Sequence, residues 1–273
     1  MNMPLDHINE EEAAKAFSSQ AKKFDALYSG DTIIQYKRER VRQHVLQFIL
    51  PDNDVLELNS GTGEDAIWFA QQGHKVHATD IAEGMQQQLQ QKVRALNLQH
   101  LVSNELVSFT RLENLQQQKK YDYIFSNFAG LNCTGELDKV LQSFSALLRP
   151  GGKITLVILP GFCLWEFLLL FKGKFKTAFR RQFGRKGVKA HVEGTYFTCW
   201  YYNPAFIKHQ LQNEFELLAA EGLCTLVPPS YMEGFAEKHP RLYKFLKAKE
   251  DKWKSKWPWK CIGDYYIISF QKK

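Results

Sequence analysis

Residues 55–63 read VLELNSGTG. A strand-like apolar run leads into Glu57, Asn59, Gly61 and Gly63, set two residues apart. Glycine has no Cβ, so Gly61 and Gly63 let backbone approach a ligand closely and adopt φ > 0. A helix starting near Gly63 and Glu64 would offer free N–H groups to polar or anionic ligand atoms at the same place. A plain tight turn also accounts for two spaced glycines, so the surrounding sequence has to decide.

Outward from this stretch, strand and helix patterns alternate. DVLELN (54–59) reads as a strand, EDAIWFAQQG (64–73) as a short helix closed by Gly73, and KVHATD (75–80) as a second strand. Residues 83–97 are helical, ELVSFT (105–110) and YDYIFSN (121–127) are strands, and 135–148 form a helix stopped by Arg149-Pro150-Gly151-Gly152 before the strand KITLVILP (153–160). Short connections and mostly apolar, non-alternating strands predict a parallel sheet covered by helices on both faces, an α/β doubly wound, Rossmann-like fold. Two helices precede it, at 10–29 and 31–49, the second with Asp31 as N-cap. A helix at 204–213 and strands at 214–221 and 265–270 follow. Residues 160–200 are aromatic and basic, and 222–262 read as irregular.

Asp80 ends the second strand, 19 residues beyond Gly61. An acid there accepts both hydroxyls of an adenosine ribose; its alternative role is to cap the helix near 83. Two adenosine ligands compete. Gly61-Thr62-Gly63-Glu64-Asp65-Ala66 fits the dinucleotide pattern G-x-G-x-x-A formally. A pyrophosphate is disfavoured by an acid in the turn, whereas S-adenosylmethionine carries no phosphate and has an α-amino group that needs acceptors. Glu57, four residues before Gly61, supplies one, which favours the sulfonium cofactor.

With these residues in place the chain resembles the class I S-adenosylmethionine-dependent methyltransferases of the small-molecule type. The resemblance rests on VLELNSGTGE (55–64), HKVHATDIAEGM (74–85), KKYDYIFSN (119–127) and LLRPGGKITL (147–156), in that order and spacing. It covers about residues 30–160 and the strands at 214–221 and 265–270. It implies a seven-stranded sheet whose last strand is inserted antiparallel beside the sixth. It also implies a single domain over 1–273, with an N-terminal helical cap at about 1–50 and substrate-lid insertions at about 160–200 and 222–262. Carried over by position, Glu57, Asn59, Ser60, Gly61 and Gly63 surround the methionine end of the cofactor, Asp80 takes the ribose, Ile81 and Met85 line the adenine pocket, and Asn127 passes the methyl group. Two positions depart from the family pattern. Asn59 stands where glycine is common, and Arg111 stands where an acid often holds the adenine amino group, leaving that contact to Leu112 or Glu113. Tyr28, Tyr36 and Arg40 in the N-terminal helices are candidates to cap the methionine end.

Methyl transfer from a sulfonium is an in-line displacement that depends on positioning, and it needs a base only for a nucleophile of high pKa. No catalytic motif is obligatory and none stands out; His191, Glu193 and Tyr196, in HVEGTYFTCWYY, are the candidates for a base or a hydrogen-bonding partner, against a packing role for each. No metal-ligand spacing is present. SNFAGL at 126–131 is not the N/D-P-P-Y/F of the common amino-methyltransferases, so the acceptor is read as a small molecule, hydrophobic or acidic. The alternatives are an NAD(P)-dependent oxidoreductase and a non-catalytic cofactor-binding protein on the same fold.

The bulk of the chain agrees with one soluble domain. At 273 residues it is long enough for a full core, and 44% hydrophobic with 24% charged residues is ordinary. Five scattered cysteines form no C-x-x-C pair, the polar N-terminus is no signal peptide, and the longest apolar run, FCLWEFLLLF (162–171), holds Glu166. A cytoplasmic protein is expected. The net charge of +7 is lopsided: residues 151–273 carry 21 Lys+Arg against 10 Asp+Glu. Residues 172–189 alone hold eight Lys or Arg and no acid, with Phe175, Phe179 and Phe183 at helical spacing. Three readings stand in order: a lid helix, a peripheral contact of 162–189 with membrane or lipid, and last a nucleic-acid patch, since no nucleic-acid-binding module is appended.

Overall fold

The alternation from 54 to 160 closes into a sheet of seven strands: β1 (Asp54–Leu58), β2 (Lys75–Asp80), β3 (Val102–Leu106), β4 (Tyr121–Ser126), β5 (Leu148–Ile158), and, across the insertions, β8 (Phe215–Leu223) and β9 (Tyr265–Lys272). The order is β3-β2-β1-β4-β5-β9-β8; the first five strands are parallel, and β9 is antiparallel to both β5 and β8. This is the doubly wound sheet with an inserted antiparallel last strand that the sequence predicts. The structure, a computed structural model, describes residues 5–117, 119–182 and 187–273.

Both faces of the sheet are buried at its centre, because β1, β4, β5, β8 and β9 each feed two cores. On one side Leu56, Leu58, Ile124, Leu156 and Ile268 pack under α5 (Leu137–Leu147) and α8 (Pro204–Leu211). On the other, Val55, Val76, Tyr123, Val157 and Ile267 pack under α2 (Thr32–Val45), α3 (Glu64–Gln71) and α4 (Glu83–Ala95). Successive side chains point to opposite faces, so a strand covered on both sides must be apolar throughout.

Several elements differ from the sequence expectation. The third strand runs through VSNEL at 102–106, not ELVSFT at 105–110. It is an edge strand paired only to β2, so Ser103, Asn104 and Glu105 are tolerated in it, and His77 bonds Ser103 Oγ at 2.9 Å and Glu105 Oε2 at 3.1 Å. α1 (Leu5–Ser29) starts earlier than predicted and α2 ends earlier. In place of one helix over 172–189, the described residues form α7 (Phe175–Phe179), which follows α6 (Leu164–Leu168), and then enter a hairpin of β6 (Val188–Val192) and β7 (Thr195–Cys199). Phe183, the third ring of the expected stripe, lies outside the described residues. The hairpin turns at Glu193 (φ 46°) and Gly194 (φ 82°), the left-handed pair that two-residue hairpins require. Residues 222–262 hold α9 (Phe235–Lys238) and α10 (Pro240–Trp253).

α10 is tied to α2 by one buried carboxylate. Glu250 accepts the backbone N–H groups of Cys224, Thr225, Leu226 and Val227 at 2.8–2.9 Å and the Tyr36 hydroxyl at 3.0 Å. α1 meets the body through Ala13 and Ala16 beside Cys133 and Phe197, and Ala21 beside Ala82 and Met85, with Phe17 and Phe24 packed against the same groups. No helix among the described residues is long and apolar enough to cross a membrane.

Candidate functional site

The carboxyl ends of β1, β2 and β4 open beneath α1 into a cleft that encloses about 930 Å³, part of it open to solvent, ample for a ligand of cofactor size. Its lining comes from α1, from Arg38 of α2, and from the turns that follow β1, β2, β3 and β4. No lining residue comes from 160–200 or 222–262.

The glycine turn follows from its backbone. Gly61 (φ 55°) and Gly63 (φ 83°) are left-handed, and each has its own reason to be glycine. A Cβ on Gly61 would meet nothing within 4 Å, whereas one on Gly63 would lie 2.7 Å from Leu89 Cγ of α4. Gly61 therefore keeps the cleft open and Gly63 lets α4 pack. Asn59 is left-handed as well (φ 47°), a conformation that asparagine tolerates best after glycine. Its side chain turns toward the end of β4, donating to the Asn127 carbonyl at 2.9 Å and accepting from Ser126 Oγ at 2.6 Å. Gly130 sits against that side chain with no room for a Cβ.

Asp80 accepts Gly61 N–H and Ala82 N–H, each at 2.8 Å, so both of its oxygens are aimed by backbone. Burial pushes its carboxyl above the usual range, against the pull of those donors. Ser60 accepts from Gln86 Nε2 at 2.9 Å, and Asn127 donates to Asp65 Oδ2 at 2.7 Å. Ile81, Ala82 and Met85 supply an apolar wall beside Asp80.

Glu57 is 2% exposed, and its Oε2 has no hydrogen-bond partner among the described residues. Burial raises its pKa well above the usual carboxylate value; Asp65 and Asp80 push the same way and Arg42 opposes them. A buried carboxylate with a free oxygen in the lining of a cleft lacks a cationic partner. Arg38, buried in the same cleft, donates to Glu64 at 2.6 Å through Nη1 and leaves its Nε unpartnered. Five acids (Glu10, Glu57, Glu64, Asp65 and Asp80) line the space against this one arginine.

Of the residues singled out in the sequence, Glu57, Asn59, Ser60, Gly61, Asp80, Ile81, Met85 and Asn127 line this cleft, and Gly63 stands at its edge beneath α4. Leu112 is buried in the core under α5 and Glu113 is exposed. Tyr28 stacks edge-on to Phe24 at 4.7 Å outside the cleft. Tyr36 and Arg40 face the other way: Arg40 donates to Tyr36 and Glu221 and pairs with Glu250. His191, Glu193 and Tyr196 are exposed on the hairpin. The sequence reading passed over Arg38, Glu10, Phe17, Phe24, Ser108 and Phe109, all of which line the cleft. Glu10 accepts from Ser108 Oγ at 2.7 Å and Thr110 Oγ1 at 3.0 Å, which latches α1 to the turn after β3. Among the described residues, one cluster has metal-ligand composition, Cys163, Glu166 and Asp264, but Arg181 bridges its two carboxylates and Arg180 pairs with Glu166, so two arginines already balance their charge.

Comparison with known proteins agrees with this geometry. Residues 55–152 match a family model described as a methyltransferase domain. No curated protein matches the chain significantly. Among similar solved structures, the magnesium protoporphyrin IX methyltransferase of Synechocystis PCC 6803, with bound S-adenosylmethionine, shares 16% identity at a TM-score of 0.59 and 100% coverage of both chains. The 1,6-didemethyltoxoflavin-N1-methyltransferase of Burkholderia thailandensis, with 1,6-didemethyltoxoflavin and S-adenosylhomocysteine bound, shares 14% at 0.58, covering 100% of this chain and 92% of the other. The 4+2 cyclase SpnF shares 14% at 0.61, covering 97% and 96%. Residues 55–152 thus match the methyltransferase-domain family model, and the chain has the fold of the class I methyltransferases that its sequence resembles.

Proposed function

We propose that this protein is an S-adenosylmethionine-dependent methyltransferase that transfers a methyl group, by in-line displacement, to a small hydrophobic molecule. The observation that carries the proposal is the charge pattern of the cleft: a buried, unpartnered Glu57 oxygen and four further acids face one buried arginine. S-adenosylmethionine has two cationic centres and one carboxylate, and matches that pattern. A dinucleotide brings a pyrophosphate and does not match it.

The residues present fit the cofactor. Glu57 holds the α-ammonium, and Arg38 draws the carboxylate with its free Nε–H. Asp80, aimed by Gly61 and Ala82, accepts the ribose hydroxyls on its remaining lone pairs, and Ile81 and Met85 face the adenine. When bound, the cofactor supplies a methyl carbon activated by its sulfonium. The protein positions the acceptor against it and excludes water with Phe17 and Phe24 of α1 and Phe128 of the turn after β4. Of the two acceptor classes read from the sequence, a hydrophobic one is favoured over an acidic one, because the lining acids repel anions. Glu10 is the carboxylate that α1 adds to this lining, and it serves as proton acceptor where the methylated atom carries a proton.

Calorimetric titration with S-adenosylhomocysteine and with NAD tests the reading. Heat with the first and none with the second is expected; the reverse overturns it. Binding without turnover across a screen of hydrophobic phenols, amines and acids would leave a cofactor-binding protein in place of an enzyme.

A further inference from the structure

After β5, residues 162–182 form a short arch with a locked foot and a bare tip. At the foot, buried Glu166 accepts from Arg180 Nε at 2.8 Å and Nη2 at 2.6 Å, and from Arg181 Nη2 at 2.6 Å. Arg181 reaches on to Asp264 at 2.7 Å, joining the arch to the start of β9. Above the foot, Phe167 packs on Phe162 at 5.5 Å and Phe179 at 6.4 Å, and Ala178 is buried. The base of the arch is therefore fixed by charge-assisted bonds and ring packing.

The tip has no such partners. Residues 171–176, FKGKFK, are all exposed. Phe171 is 85% exposed and Phe175 63%, with Leu168 beside them at 39%. Lys172, Lys174 and Lys176 make no ion pair with any described residue, and the sequence holds no acid between Glu166 and Glu193. Large apolar rings held out by an anchored scaffold, with cations interleaved, have the chemistry of an interfacial anchor: the rings enter the headgroup–acyl boundary, and lysine stems follow them while the ammonium groups stay at phosphate level.

We propose that this arch docks the protein on a bilayer containing anionic lipid, with Phe171 and Phe175 inserted and Lys172, Lys174 and Lys176 on the lipid phosphates. Binding to nucleic acid draws on cations and stacking rings and leaves an exposed leucine without a role; in a bilayer Leu168 adds to the buried apolar area. The assignment holds whatever the cleft binds.

Co-sedimentation of the full chain with vesicles tests it. The wild type is expected to pellet with phosphatidylcholine vesicles that contain phosphatidylglycerol and to stay largely in the supernatant with phosphatidylcholine alone. Replacing Lys172, Lys174 and Lys176 together by Gln weakens the partition on the order of a hundredfold, and F171S with F175S abolishes it with thermal melting unchanged. Phe171→Trp adds a fluorophore at the tip, and its emission, taken as the difference from the wild type, shifts to the blue on anionic vesicles. No pelleting with anionic vesicles, pelleting that survives both sets of changes, or an unshifted difference emission from the F171W variant overturns the proposal. Binding to duplex DNA at equal or higher affinity, lost in the same variants, assigns the arch to nucleic acid instead.

Discussion

The backbone N–H of Gly61 donates to Asp80 Oδ2 across 2.8 Å, which makes the glycine turn after β1 and the acid at the end of β2 a single unit. Neither can shift without the other, so Asp80 is aimed by the same turn that lines the cleft.

Asp80→Ala removes the acceptor for Gly61 and Ala82 together with the proposed ribose contact. Affinity for S-adenosylhomocysteine is expected to fall by about tenfold or more, about 1.4 kcal/mol or above, read by calorimetry. An unchanged affinity would detach Asp80 from the cofactor.

Glu57 gives a pH signature. Its folded-state pKa is raised by burial, with Asp65 and Asp80 adding to the effect. For an acid with a raised pKa, folding is favoured while the group is protonated, and stability is lost as pH rises from the ordinary carboxylate range through the raised value. Glu57→Gln is isosteric and removes that loss. The unliganded variant should melt above the wild type at neutral pH, with the gap closing on acidification, while its affinity for S-adenosylhomocysteine drops. A variant that melts below the wild type at neutral pH contradicts this.

The two glycines separate packing from binding. Gly63→Ala puts a Cβ 2.7 Å from Leu89 Cγ in a left-handed residue, and is expected to lower stability by about 1–3 kcal/mol. Gly61→Ala meets no neighbour and costs about 1 kcal/mol of backbone strain, while its methyl group enters the cleft and reduces cofactor affinity. Denaturant melts and calorimetry on both variants should show opposite rankings in the two measurements.

Glu250→Ala strands four backbone N–H groups and leaves Arg40 with Glu221 as its one carboxylate partner among the described residues. A loss of about 3–5 kcal/mol is expected, measured by urea unfolding. The cleft residues are untouched, so the cofactor affinity of the folded fraction should hold.

The sheet was legible because strands buried on both faces are apolar throughout and leave the alternation no room for another reading. The turn after β1 was legible because φ > 0 restricts residue type: Asn59, Gly61 and Gly63 occupy left-handed positions two residues apart. Helix faces were not. Tyr36 and Arg40, four apart, share one face of α2, and Arg38 lies on the opposite face; the pattern shows that the faces differ but not which one meets the cleft. β3 was misplaced because an edge strand accepts polar residues. The hairpin at 188–199 carried its own signal, alternating residues around Glu193-Gly194, but the run of cations before it drew the reading toward a helix. α10 opens with Pro240 at its first turn, a start signal that the reading of 222–262 as irregular overlooked.

The attachment of α1 has a kinetic consequence. It covers the cleft through alanines, through the rings of Phe17 and Phe24, and through polar ties from Glu10, from Asn9 to the Cys133 and Thr198 carbonyls, and from Asp25 to Thr62 and Lys92. One helix held this way buries less area than a sheet covered on both faces, so this roof detaches at a lower free energy than the sheet beneath it. Escape of a bound molecule is then timed by the lifting of α1 and not by the sum of contacts below. Loosening one tie, as in Asn9→Ala, shortens residence without altering what the cleft recognises.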